Sequence, residues 1–211
     1  MRALPLLAVA LLLSACGVVQ SSSGMVPEWN KDWHMVATST DRARLRDWRT
    51  SFTKALGAAR KAGHGADIDR EGALLEPDAA LQGGPIPNGM YACRVIKLGA
   101  KSAGLLDYVS YPAFACRVDQ DRDLQGFAKL TGSQRQVGLI FPGDPLRQVF
   151  LGTLVLGDER EAMQYGQDKT RDVAGHVERI GPNRWRLVMP NPAFESQTDV
   201  MELVPSSGGV R

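Results

Sequence analysis

The chain has 211 residues, 44% hydrophobic and 23% charged, with a formal net charge of +2. That balance excludes a disordered or low-complexity polymer and suits one domain with a helical appendage. Charges of both signs are interspersed and no basic block occurs, so nucleic acid is not an expected partner.

Met1-Arg2 is followed by an apolar run from Ala3 to Leu13, then by Ser14-Ala15-Cys16-Gly17. A run this short after a basic start predicts a signal peptide over residues 1–15, not a permanent membrane helix. Leu13-Ser14-Ala15-Cys16 is a lipobox, in which small residues precede a cysteine whose thiol takes a diacylglyceryl group before cleavage. The sequence thus predicts a lipoprotein held to a membrane through Cys16, with residues 16–32 as the lipidated cysteine and a small, polar tether. Gly17 stands where an aspartate is the usual signal for retention in the inner membrane. This favours an outer-membrane lipoprotein facing the periplasm, with the inner membrane and the cell surface as alternatives. Each buried methylene contributes roughly 0.8 kcal/mol, so several acyl chains hold firmly.

Residues 33–84 read as a helical segment. Thr38-Ser39-Thr40-Asp41 offers N-cap candidates and an early acid, and Leu45, Trp48, Phe52, Leu56 and Ala59 recur on one helical face. A second, shorter piece is predicted over Ala66–Leu75, stopped by Pro77. Within it, Asp67, Asp69 and Glu71, with Gly72 and then Asp78, follow the spacing of a calcium loop. Pro77 and the glycine-rich exit at Gly83-Gly84 argue against a second flanking helix, so the acids are only a weak calcium candidate. No metal and no cofactor are expected.

From Gly83-Gly84-Pro85-Ile86-Pro87-Asn88-Gly89 onward the texture is β-rich. Strands are predicted near Met90–Leu98, Ala113–Val118, Gly126–Leu130, Gln136–Phe141, Gln148–Leu156, Asp172–Ile180, Arg184–Met189 and Val200–Val204. Gly181-Pro182-Asn183 is a hairpin turn, and Trp185, Leu187 and Met189 share a face. The fold class is mainly β with an N-terminal helical segment (α+β). The expected architecture is an antiparallel barrel of about eight strands over residues 85–205, lipocalin-like, because closure removes exposed edges. A two-sheet sandwich is the alternative. Residues 206–211 are expected to form a flexible tail.

Cys93 and Cys116 sit in matched contexts, Tyr91-Ala92-Cys93-Arg94-Val95 and Phe114-Ala115-Cys116-Arg117-Val118. In an oxidising compartment, neighbouring strands placing them opposite each other predict a disulfide. Between them, Leu105-Leu106-Asp107-Tyr108-Val109-Ser110-Tyr111 is apolar and aromatic. Leu105, Tyr108 and Tyr111 are candidate binding residues on a loop over a barrel mouth. His34, His64 and His176 lie at no metal-ligand spacing, and His176 is out of phase with its strand's apolar face. No nucleophile elbow or phosphate loop is present, so no catalytic residue is assigned.

The stretches Cys93–Gly99, Leu105–Tyr108, Lys129–Arg135 and Phe150–Leu154 resemble an uncharacterised bacterial envelope family, a domain of unknown function, from about Trp33 to Pro205. The resemblance implies no activity. A looser architectural likeness links the chain to small periplasmic barrel inhibitors of proteases and lysozyme, which are often lipoproteins with an early disulfide. The leading expectation is a non-enzymatic binding module for an envelope protein, such as a hydrolase, or for a small apolar ligand. An envelope hydrolase with an unrecognised site is the alternative.

The lipobox is directly testable. The wild-type protein is expected to sediment with membranes and to carry acyl mass on Cys16. Cys16→Ser is expected to partition into the soluble envelope fraction, and equal sedimentation of the two would refute the anchor.

Overall fold

The computed structural model describes residues 31–206. The signal peptide, Cys16 and most of the tether, together with the final five residues, lie outside them.

Eight strands form a closed antiparallel meander. They are β1 (Gly89–Ala100), β3 (Phe114–Asp121), β4 (Leu124–Lys129), β5 (Gln134–Phe141), β6 (Arg147–Leu156), β7 (Asp172–Gly181), β8 (Arg184–Pro190) and β9 (Ser196–Pro205). Each pairs with the next, and β9 returns to β1 from Tyr91↔Pro205 to Ala100↔Ser196. Closure gives each of the eight a strand partner on both sides, the physical gain expected of a barrel. A ninth strand, β2 (Tyr108–Ser110), lies beside the end of β1. These residues, expected in a loop, take up strand conformation through that pairing.

Alternation divides the side chains. Tyr91, Phe127, Phe150, Leu154, Trp185, Leu187, Met189 and Met201 point inward and fill the interior, with Leu156 packed at its margin. Filling by side chains is what an eight-stranded barrel allows. Gly138 and Gly152 face each other across β5 and β6, where an added Cβ would meet a neighbouring carbonyl oxygen at 2.3 Å in either case. Only glycine permits this close approach, and the edge-to-face pair Phe127–Phe150 packs in the same interior.

The opposite face of β1, β8 and β9 is also apolar, and helices cover it. After the single-turn α1 (Trp33–Val36), Thr38 caps α2 (Ser39–Arg46): its hydroxyl oxygen accepts from the Asp41 amide at 3.1 Å and donates to the Asp41 carboxylate at 2.9 Å. The helical stripe breaks at Asp47, where φ −93° and ψ 11° end α2 before α3 (Trp48–Ala59) begins. Leu45 therefore packs with Tyr165 and the outer face of β5–β7, whereas Phe52, Ala55, Leu56 and Ala59 pack on Ile96, Leu98, Val188 and Val200. A wide helical turn over Arg60–His64, with Gly63 at φ 97°, leads into α4 (Gly65–Glu71) and a 3₁₀ turn at Gly72–Leu74. The breaker segment then folds back on the barrel. Ile86 sits in the barrel core, and the Gln125 amide donates to its carbonyl at 2.7 Å. His176 points out of the barrel as its phase required, but Leu45 and Trp48 cover it instead of solvent.

Arg186, fully buried on the outer face of β8, joins the two parts. Its Nε donates to Glu178 at 2.7 Å, and its terminal nitrogens donate to the carbonyls of Ala73, Leu74, Glu76 and Pro77 at 2.7–3.0 Å. Arg147 holds the other Glu178 oxygen at 2.7 Å. Arg186→Met is expected to lower unfolding free energy by about 3–5 kcal/mol, since it removes one of the two cations on a buried carboxylate and a buried donor to four carbonyls. A denaturant midpoint unchanged from wild type would show that the clamp contributes nothing.

Candidate binding site at the barrel mouth

The site arises where β1 changes partner. β1 pairs with β3 from Gly89 to Cys93, then with β2 from Ile96 to Leu98. Between the two pairings a backbone bond, Tyr111 N to Val95 O at 3.0 Å, and a side-chain bond, Arg94 to Ser110 Oγ at 3.2 Å, cross to the loop. The Cys93–Cys116 disulfide lies where β3 leaves β1, with a Cα separation of 5.9 Å. The two cysteines are not directly opposite, because Cys93 faces Phe114 and Cys116 faces Tyr91. Both point inward and lie on one diagonal, which strand twist shortens.

Above this seam the barrel opens into a cavity of about 320 Å³, lined by Val95, Lys97, Tyr111, Phe114, Lys129 and Gln136 with the β4–β5 turn and Glu195. The inward positions that are apolar lower down become charged here. Lys97 reaches Asp199 at 3.0 Å and Glu195 at 3.1 Å. Ser196 donates to the other oxygen of Asp199. Burial works against the Lys97 ammonium, but the two carboxylates outweigh it and hold its pKa above the ordinary range. Burial also pushes the enclosed Asp199 upward, against the pull of Lys97 and Ser196. Glu195 occupies a left-handed conformation, φ 64°, a strained choice for a non-glycine residue.

Lys129 is different. Only 4% exposed, its ammonium donates to the Gln134 carbonyl at 2.8 Å and lies 3.7 Å from the centroid of the Phe114 ring. No carboxylate pairs with it among the described residues. Burial lowers its pKa from 10.5 to about 8, with Arg135 and Lys97 pushing the same way. Gly132, at φ 91°, makes room, since a Cβ there would meet the Lys129 nitrogen at 2.8 Å and Phe114 at 2.9 Å. Next to β4, Gln136 is 4% exposed and its side-chain carbonyl oxygen has no partner. The cavity therefore holds a cation without a counter-charge and an acceptor without a donor.

The family model described as Domain of unknown function (DUF4893) matches residues 33–203. The chain belongs to this family. No significant match was found among curated proteins or among solved structures. The family match covers both the helical segment and the barrel, including every residue lining the mouth.

Of the residues singled out from sequence, Tyr111 lines the cavity. Tyr108 instead turns to the outer face, where its ring stacks on His64 at 5.1 Å and its hydroxyl donates to Glu71 at 3.4 Å. Leu105 is exposed in the loop before β2. The four acids of the calcium-like spacing are each turned to a basic partner. Asp67 meets His64 and Arg70, Asp69 meets Arg60, Glu71 meets Arg94 and Asp78 meets Arg49. Cys16 lies outside the described residues. Lys97, Lys129 and Gln136 were not singled out. Their signal was strand phase, because Lys97 continues the inward series Cys93–Val95 and Lys129 follows Phe127.

An unpaired buried lysine lowers stability wherever it is protonated. Because its folded pKa is depressed, the cost is present in full below about pH 8 and is relieved as pH rises from about 8 to 10.5. Lys129→Met is expected to raise the unfolding free energy at pH 7 by about 2 kcal/mol, with the gain vanishing above the unfolded lysine pKa. Denaturant titrations at pH 7 and 10.5 test this, and a gain independent of pH would contradict it.

Proposed function

We propose that this protein is a lipid-anchored component of the cell envelope whose barrel binds a small ligand at its mouth without transforming it. The observation that carries this reading is the cavity: one end of a barrel otherwise filled by side chains holds an open space of about 320 Å³, with a buried acceptor on Gln136 that has no partner and a buried Lys129 ammonium that meets only a neutral carbonyl and an aromatic ring. Buried polar groups without partners are costly, and a ligand that satisfies them recovers that cost. Concave sites with an apolar lining and a few placed polar groups are the usual form of a small-molecule site. The cavity offers Tyr111, Phe114 and Val95 as the lining and the lysine pair, Gln136 and Glu195 as the polar groups.

A histidine–acid pair does occur on the outer face, with His64 Nδ1 2.9 Å from Asp67 Oδ2. Among the described residues no serine, threonine or cysteine hydrogen-bonds to His64. Binding without turnover therefore suits the arrangement better than hydrolysis.

The test is release of bound material. The full-length protein, purified from the envelope that makes it and then denatured, is expected to release a small compound detectable by mass spectrometry. Ser133→Trp, which fills the rim, and Tyr111→Ala are expected to release at least about tenfold less while keeping the wild-type melting temperature. Equal release from all three, or turnover of a substrate that vanishes on changing one polar residue, would overturn the reading.

A further inference from the structure

The mouth carries a specific balance of charge and hydrogen-bonding capacity. Lys97 is already neutralised by two carboxylates, and Asp199 is satisfied by Lys97 and Ser196. Three groups remain for a ligand. Lys129 provides a cation that meets only a neutral carbonyl and an aromatic face. Gln136 provides a buried acceptor with nothing donating to it. Glu195, in its left-handed conformation at the rim, has a partly exposed carboxylate that, among the described residues, pairs with Lys97. The complementary molecule carries one anionic group and, near it, a hydrogen-bond-donating nitrogen. A simple organic acid answers Lys129 but leaves the acceptor of Gln136 unfilled. A simple amine answers the acceptors but leaves Lys129 uncompensated and adds charge beside it. The dianionic phosphate group of a phosphomonoester offers no donor to Gln136. Val95, Tyr111 and Phe114 supply an apolar wall for a side chain.

Resting on the mouth-binding reading above, we propose that the cavity recognises an α-amino-acid group with an apolar side chain. Its carboxylate lies on Lys129, and its nitrogen donates to Gln136 and Glu195. A carboxylate beside Lys129 favours the ammonium form, so binding restores a pKa that burial has lowered. By linkage, affinity is greatest below about pH 8 and falls as pH rises through the depressed pKa of the unliganded lysine.

The experiment uses the full chain labelled with ¹³C and ¹⁵N, with L-phenylalanine, phenylacetate and phenethylamine as probes. These share the ring but carry both groups, the acid only and the amine only. L-Phenylalanine is expected to shift backbone resonances around the β4–β5 turn and Glu195. It should bind at least about tenfold tighter than either partial probe and raise the Lys129 titration midpoint by about one unit, the shift linked to a tenfold affinity change. Lys129→Met should erase the advantage over phenethylamine, and Gln136→Leu the advantage over phenylacetate. Alanylphenylalanine, as a fourth probe, separates a peptide end from a free amino acid. Should a partial probe bind as tightly as phenylalanine at these same resonances, with the Lys129 midpoint unmoved, this inference fails and mouth binding survives. If no probe moves any mouth resonance and the purified protein also releases no compound, both fail.

Discussion

A guanidinium with no solvent exposure ties this molecule together. Arg186 has to be ionised and has to be satisfied, and no single element of the chain supplies enough acceptors. Glu178 on the neighbouring strand provides the charge, and four successive-region carbonyls from Ala73 to Pro77 provide the remainder. Those carbonyls belong to the irregular exit of the helical segment, where backbone groups have no ladder or helix to bond to. One side chain thus solves two problems. It completes the backbone bonding of the exit and fixes where the helices lie on the barrel. Phe52 packs beneath it, with its ring 5.5 Å from the guanidinium carbon. The apolar outer faces of β1, β8 and β9 are then covered. Without such cover, residues such as Ile96, Leu98, Val188 and Val200 would present a continuous hydrophobic patch to water.

The opening at one end of the barrel follows from β1. β1 is the longest in the barrel, twelve residues from Gly89 to Ala100, and β3 accompanies it for less than half that length. Where the two part, the disulfide holds the seam and β2 takes up the edge. The interior just beyond is no longer sealed by a continuous sheet, so charged side chains find room there, and Lys97, Asp199 and Lys129 occupy positions that apolar residues fill deeper in. The closed end differs because the breaker segment crosses it. Ile86 fills that end, and Tyr91 bonds to Pro87 at 2.6 Å.

Much of the barrel was legible because its strands alternate. Trp185, Leu187 and Met189 announced one face of β8, and Gly181-Pro182-Asn183 announced the turn before it. The eight predicted strands correspond to eight that close the sheet. Three features were hidden. β2 is three residues long and takes its conformation from pairing with β1, so its local sequence says little. The break at Asp47 interrupts a stripe whose periodicity runs on through Trp48, because each half finds a different barrel face to cover. Arg186 reads as an ordinary exposed strand residue, since its burial depends on helices more than a hundred residues earlier. The mouth was legible only in part. Tyr111 was found through its aromatic loop, whereas Lys129 and Gln136 were passed over because polar residues near strand ends commonly face water.

Lys129 also bears on how this barrel changes over generations. An apolar replacement of similar length at that position relieves a buried charge and makes the fold sturdier. On the mouth-binding proposal, retention of Lys129 in a descendant is expected only where occupancy of the mouth outweighs that gain in stability.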